Sequence, residues 1–164
     1  MMVQVCNFFD NADVVRSFAL EQDYRHCNDL APLPNWVGSR TRQIESNATF
    51  SWMDRQICRL LEVDNIRTLY YFHWINEADK ECDKWEVKWH TDPESDYAGL
   101  VYLHPDPPAN TGTLFDTIEN PSTVHNEYNK MVMYNNGIWH ATEDTFGETI
   151  ENSRLTLNFF VSIL

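Results

Sequence analysis

His90-Thr91-Asp92, then His140, then Arg154 are the residues whose types and order could do chemistry. Two imidazoles and one carboxylate can occupy one face of a ferrous ion, leaving its other positions for a bidentate acid and for dioxygen. A guanidinium presents a planar fork of N–H donors that matches two carboxylate oxygens. Side chains repeat every two residues along a β-strand, so His90 and Asp92 point one way and Thr91 the other. Joint action of these groups depends on the elements that carry them.

The run Trp85-Glu86-Val87-Lys88-Trp89-His90 alternates as a half-buried strand does, with Trp85, Val87 and Trp89 on one face and Lys88, His90 and Asp92 on the other. Asp92-Pro93 ends it, because proline cannot donate to a ladder. His140 follows the turn signal Asn136-Gly137 and belongs on a short strand. Arg154 to Val161 alternates polar and apolar at period two. Leu155, Leu157, Phe159 and Val161 face a hydrophobic layer, and Arg154, Thr156 and Asn158 face the opposite side.

Upstream, Asp13 to Gln22 reads as a helix capped near Asn11 or Asp13. Ala31 to Gly38 is a proline-rich loop. Ser51 to Glu62 has helical spacing, with Ser51 as cap and Asp54 three residues on. Ile66 to Trp74 is a strand, and short strands with turn signals follow to the C-terminus. Asn47-Ala48-Thr49 matches a glycosylation sequon, which has little meaning in a cytosolic protein.

The segment from about Trp85 to Leu164 resembles the catalytic half of the Fe(II)/2-oxoglutarate-dependent oxygenases, in particular the prolyl-4-hydroxylase-like branch. The residues that carry this are His90-Thr91-Asp92, the strand Gly99-Leu100-Val101-Tyr102-Leu103-His104, the turn and strand Thr111-Gly112-Thr113-Leu114-Phe115, then His140 and Arg154-Leu155-Thr156. The resemblance implies that His90, Asp92 and His140 ligate Fe(II). It implies that Arg154 pairs with the distal carboxylate of 2-oxoglutarate, that Tyr102 donates its hydroxyl to the same carboxylate, and that Thr156 assists. Dioxygen is the third reactant, and the products are succinate, carbon dioxide and a hydroxylated substrate. The substrate is a protein residue, an amino acid or a small metabolite. Its selection lies in loops such as Ala31 to Arg42 and His104 to Asn110. The spacing of 14 positions between His140 and Arg154 is longer than usual for this branch, and the acidic loop between them can bulge outward.

The implied fold is α+β: N-terminal helices brace a double-stranded β-helix, the jelly-roll core of cupins. At 164 residues the chain forms a single domain, with a helical support to about residue 65 and the β core from about 66 to 164. Taken singly, each site residue has a plainer role. His90 and Asp92 could be a polar strand end, His140 a hydrogen-bonded core histidine, Arg154 half of a surface ion pair. Trp89, Tyr134 and Trp139 are more simply core packing than pocket lining. The order of the whole set points to oxygenase chemistry. The alternatives are a cupin-like metal-binding module without turnover, and a zinc hydrolase in which Arg154 and Tyr102 would have no task.

Composition agrees. Net charge is −13, with 25 acids against 12 bases, so a phosphate backbone is a poor partner. No arginine follows Arg154, which disfavours the nucleic-acid-repair oxygenases, since they carry a further one. Arg40 and Arg42 could meet an acidic substrate group, though ion pairs are the plainer expectation on so acidic a chain. No apolar run reaches the roughly 20 residues that span a bilayer. Met1 to Cys6 lacks the basic and apolar regions of a signal peptide, and Cys6, Cys27, Cys58 and Cys82 have the wide spacing of free thiols. A cytoplasmic location is therefore expected, and the oligomeric state is left open.

Overall fold

In this computed structural model, residues 1–85, 88–116 and 121–164 are described. They hold, in chain order, β1 (Met2–Val5), α1 (Ala12–Leu20), β2 (Tyr24–His26), β3 (Ser39–Thr41), α2 (Ala48–Leu61), β4 (Ile66–Ile75), β5 (Tyr97–Tyr102), β6 (Thr113–Phe115), β7 (Ser122–Val124), β8 (Met131–Asn135), β9 (His140–Thr142) and β10 (Arg154–Ile163). Seven strands form one antiparallel sheet in the order β1-β8-β5-β10-β4-β3-β2, and three form a second in the order β7-β6-β9. Among the described residues no helix is long and apolar enough to cross a membrane.

The alternation of β10 decides which face of the large sheet does what. Leu155, Leu157, Phe159 and Val161 are fully buried on one face. Both helices pack there through residues spaced for one helical stripe: Ala12, Val15 and Ala19 of α1, and Phe50, Met53 and Ile57 of α2. The larger of these side chains each contribute about 1.5–3 kcal/mol by leaving water. Phe50 stacks on Tyr70 of β4 with ring centroids 4.5 Å apart. Gly99 lies opposite Phe159 in register. A Cβ at Gly99 would come within 2.3 Å of the Phe159 ring, so the missing side chain is what admits that ring.

The other face carries Arg154, Thr156 and Asn158 together with their register partners Ile75, His73 and Tyr71 on β4. It looks toward the small sheet. A second apolar cluster, including Leu100, Tyr102, Phe115, Val132 and Tyr134, fills part of the space between them.

Three local expectations are corrected. The spacing predicts that the second helix starts at Ser51, but it starts at Ala48. The Asn47 side chain accepts from the N–H groups of Thr49 and Phe50 and so is the cap, which gives the Asn-Ala-Thr triplet a structural job. The N-terminal part is more than a helical support, because β1, β2 and β3 are strands of the large sheet. The strand expected over Trp85 to His90 is not a continuous strand. Glu86 and Val87 lie outside the described residues, Trp85, Lys88 and Trp89 are irregular, and His90 makes only an isolated bridge to His140.

Candidate metal centre

His140 opens β9, whose pairing with β6 places it opposite Phe115. His90 joins the free side of His140 by a reciprocal bridge, each backbone N–H donating to the other's carbonyl at 3.0 Å. This bridge brings the two imidazoles together, with ring centroids 4.3 Å apart. Asp92 is anchored two residues on, its N–H donating to the Asn136 carbonyl at 3.0 Å. A bridge and a turn therefore do what a regular strand was expected to do.

Both rings are oriented by the same device. His90 Nδ1 lies 2.7 Å from the Lys88 carbonyl, and His140 Nδ1 lies 3.0 Å from the Ile138 carbonyl. A carbonyl only accepts, so each Nδ1 carries the proton and each Nε2 is left with a lone pair. Those lone pairs face Asp92: His90 Nε2 is 3.8 Å from Oδ1 and His140 Nε2 is 3.3 Å from Oδ2. One ligand atom from each residue lies within 4.8 Å of the other two. Donors bound at about 2.1 Å and meeting at right angles sit roughly 3 Å apart, so the set suits a single divalent cation with little adjustment. Two imidazoles and one carboxylate are the donor set of a non-haem ferrous site with open positions.

Electrostatics supports the required protonation states. Burial lifts the Asp92 carboxyl, but the adjacent His140, with His90 and Arg40 contributing, outweighs it and holds the carboxyl below its ordinary value. Burial, with the His140 charge adding to it, holds His90 below the usual imidazole value. An ionised carboxylate and a neutral imidazole are what a metal needs.

The three residues line a cavity of about 680 Å³, a size that suits a small ligand. Arg154 lines it too and is 3% exposed. Its Nε donates to the Thr111 carbonyl at 3.1 Å, and its Nη2 donates to Thr113 Oγ1 at 3.1 Å and to the Gly112 carbonyl at 3.4 Å. These are neutral acceptors, and among the described residues Arg154 has no carboxylate partner. Burial lowers its pKa.

Tyr102 and Thr156 do not reach the cavity among its described lining. The Tyr102 hydroxyl is 2.6 Å from Thr113 Oγ1 and donates to the Val124 carbonyl at 3.3 Å, and its ring lies 5.5 Å from the Arg154 guanidinium carbon. The Thr156 hydroxyl lies 2.7 Å from Asn158 Oδ1 and 3.3 Å from the His73 carbonyl. Tyr134 lines the cavity, with its ring 4.7 Å from His140, whereas Trp139 is half exposed.

Arg40, which the sequence offers as a partner for an acidic substrate group, lines the cavity, and so do Trp36, Tyr71 and His73, to which sequence reasoning assigns no role in the site. The register of β3 against β4 places Arg40 opposite His73, and that of β4 against β10 places His73 and Tyr71 opposite Thr156 and Asn158, on the face of Arg154. The signals available are Arg40 itself and the loop Ala31 to Arg42, which does supply part of the cavity wall.

No family model and no curated protein matches this sequence. Solved structures do match its fold. A Pseudomonas putida prolyl-4-hydroxylase superposes over 97% of this chain and 91% of its own, at 13% identity and a TM-score of 0.59. A 2OG-Fe(II) oxygenase-family oxidoreductase from Burkholderia pseudomallei matches over 98% and 84%, at 10% identity and a TM-score of 0.65. HygX from Streptomyces hygroscopicus, solved with nickel and 2-oxoglutarate bound, matches over 99% and 82%, at 12% identity and a TM-score of 0.62. The chain thus shares its fold with prolyl-4-hydroxylases and other 2-oxoglutarate/Fe(II) oxygenases.

Proposed function

We propose that this chain is an Fe(II)- and 2-oxoglutarate-dependent dioxygenase of the prolyl-4-hydroxylase-like branch, and that its two sheets are the halves of a double-stranded β-helix. The observation that carries the reading is the convergence of His90 Nε2, His140 Nε2 and the Asp92 carboxylate in a cavity also lined by a buried, carboxylate-free Arg154. The reaction is hydroxylation of a C–H bond in a protein residue, an amino acid or a small metabolite.

When bound, Fe(II) with 2-oxoglutarate and dioxygen supplies the oxidising power for hydroxylation, with release of succinate and carbon dioxide. The chain supplies position and shielding. His90, His140 and Asp92 are the three protein ligands, held ready by the Lys88 and Ile138 carbonyls. Arg154 pairs with the distal carboxylate of 2-oxoglutarate, and its fork is fixed by bonds to Thr111, Gly112 and Thr113. Tyr102 and Thr156 act as supports: Tyr102 shares Thr113 with Arg154, and Thr156 bonds Asn158, which lines the cavity. Leu69, Leu100 and Phe160 give the cavity apolar wall that keeps bulk water away.

A zinc hydrolase on the same triad leaves Arg154 without a role. The deciding test is oxygen uptake in the presence of Fe(II), screened over peptides and free amino acids with succinate measured in parallel. Uptake that requires both Fe(II) and 2-oxoglutarate is expected, and it should vanish in Asp92→Ala. Uptake indifferent to 2-oxoglutarate would refute the reading.

A further inference from the structure

Arg40 is a second guanidinium in the same cavity, and its surroundings call for an anion. It sits in β3, where its register neighbours are Arg25 on one side and His73 on the other, neither an acid. Its Nε is fully buried and has no hydrogen-bond partner. Among the described residues it makes no ion pair, contrary to what so acidic a chain leads one to expect. A buried guanidinium donor without an acceptor is rare in folded proteins and needs an explanation.

The surfaces around Arg40 show what shape of acceptor is missing. Its guanidinium carbon lies 4.8 Å from the Trp36 ring centroid and 5.5 Å from that of Tyr71. Two aromatic rings within cation–π distance supply no acceptor oxygen in the plane of the guanidinium, where its N–H fork matches a planar carboxylate. Near Arg40, His73 cannot accept a charge-assisted bond through Nε2, which lies 2.6 Å from the Val37 carbonyl and donates to it. Asp92 lies beyond ion-pair distance, although its field is felt at Arg40.

The charge balance of the cavity points the same way. Among the described residues, four of the chain's 12 bases line it (Arg40, Arg67, Lys88 and Arg154), against two of its 25 acids, Asp92 and Glu94. An otherwise strongly acidic molecule therefore has a basic cavity. The charges of Fe(II) and 2-oxoglutarate cancel each other, so loading the site leaves the surplus of positive charge in place. Arg154 is committed to 2-oxoglutarate in the reading above, and Arg40 is the half-buried cation in the same cavity whose Nε is buried and unpartnered.

We propose that Arg40, backed by Trp36 and Tyr71, seats a carboxylate of the substrate, so that the substrate class is a carboxylic acid. This rests on the oxygenase reading and names the substrate of the same site. The carboxylate belongs either to a free acid, such as an amino acid, or to an acidic side chain in a peptide.

The test uses the full chain loaded anaerobically with Fe(II) and 2-oxoglutarate. Free amino acids and small carboxylic acids are titrated calorimetrically, each beside its primary amide, together with terminally blocked peptides containing Asp or Glu and their Asn or Gln counterparts. At least one acid should bind on the order of 100-fold tighter than its amide, the range expected when a buried charge pair loses one partner. The free-acid arm or the peptide arm that shows the preference identifies the source. In Arg40→Gln the preference should collapse, while 2-oxoglutarate affinity changes less than about twofold. The acid–amide comparison on the unaltered chain does not depend on the variant's folding.

Equal binding of acids and amides throughout would overturn the assignment, as would retention of the preference in folded Arg40→Gln. Loss of 2-oxoglutarate affinity in that variant would overturn it too, by giving Arg40 to the cosubstrate. Failure of the unaltered chain to bind 2-oxoglutarate at all would instead bring down the oxygenase reading, and this assignment with it.

Discussion

Replacing Arg154 with methionine separates ligand binding from folding, and the hydrogen bonds around it set both magnitudes. Methionine keeps the length of the side chain but removes the donors to Thr111, Gly112 and Thr113. None of those acceptors is stranded. The Thr111 carbonyl keeps Asn126 Nδ2 at 3.4 Å, the Gly112 carbonyl keeps the Glu143 N–H at 3.1 Å, and Thr113 Oγ1 keeps the Tyr102 hydroxyl at 2.6 Å. The variant also removes a buried charge that has no carboxylate partner, so the cost to the fold is small, about 1–2 kcal/mol. In a chain of this size that lowers Tm by roughly 2–8 °C. The loss to 2-oxoglutarate is larger. Truncating one side of a buried charge pair costs about 2–5 kcal/mol, or roughly 30- to 5,000-fold in Kd. Anaerobic titration of 2-oxoglutarate into the Fe(II)-loaded variant measures the second effect, and thermal unfolding of the same sample measures the first. A folded variant whose 2-oxoglutarate Kd moves less than twofold would remove Arg154 from the clamp and refute the reasoning.

Phe159→Ala should lower stability by about 3–5 kcal/mol, or roughly 6–20 °C in Tm, because the ring is fully buried against the space left by Gly99; a scanning calorimeter reads it. His73 is predicted to make the fold acid-sensitive. Burial, aided by the Arg40 charge, holds it well below its ordinary value, so the native state keeps it neutral while the unfolded chain takes up a proton as pH drops below roughly 6.5. The folded state is at full strength above that pH and loses up to about 1.4 kcal/mol per pH unit below it, until His73 itself titrates. In His73→Gln, which keeps a donor for Val37, urea midpoints measured from about pH 5 to 7 should fall less steeply, and an unchanged slope would assign the acid sensitivity elsewhere.

Much of this fold is legible in the sequence because long elements repeat their pattern. The residues Arg154 to Val161 of β10 alternate with a single break at Phe160, and its two faces meet the helix-packed core and the cavity as the alternation says. Both helices are found from their stripes, although the start of α2 is missed because Asn47 looks like a sequon as easily as a cap. The three-residue strands β2 and β3 and the four-residue β1 carry too little periodicity to be seen. The candidate iron ligands are legible by type and order. Their geometry is not, because it comes from a long-range bridge between His90 and His140 and from the Lys88 and Ile138 carbonyls that turn the rings. Arg40 is legible as a base that could meet an acidic substrate group, but ion pairing is the plainer expectation, and only the pairing of β3 with β4 sets it, without an ion-pair partner among the described residues, in the cavity wall.

The central claim is that His90, Asp92 and His140 form one metal site that presents Fe(II) to 2-oxoglutarate. Anaerobic Fe(II) titration, followed by 2-oxoglutarate and read by the visible absorption of the iron–keto-acid chelate, tests it most directly. The account predicts one Fe(II) per chain, a chelate band that appears only with both components, and loss of both metal and band in His140→Ala. A chain that takes up no stoichiometric Fe(II), or that develops the same band in His140→Ala, contradicts it.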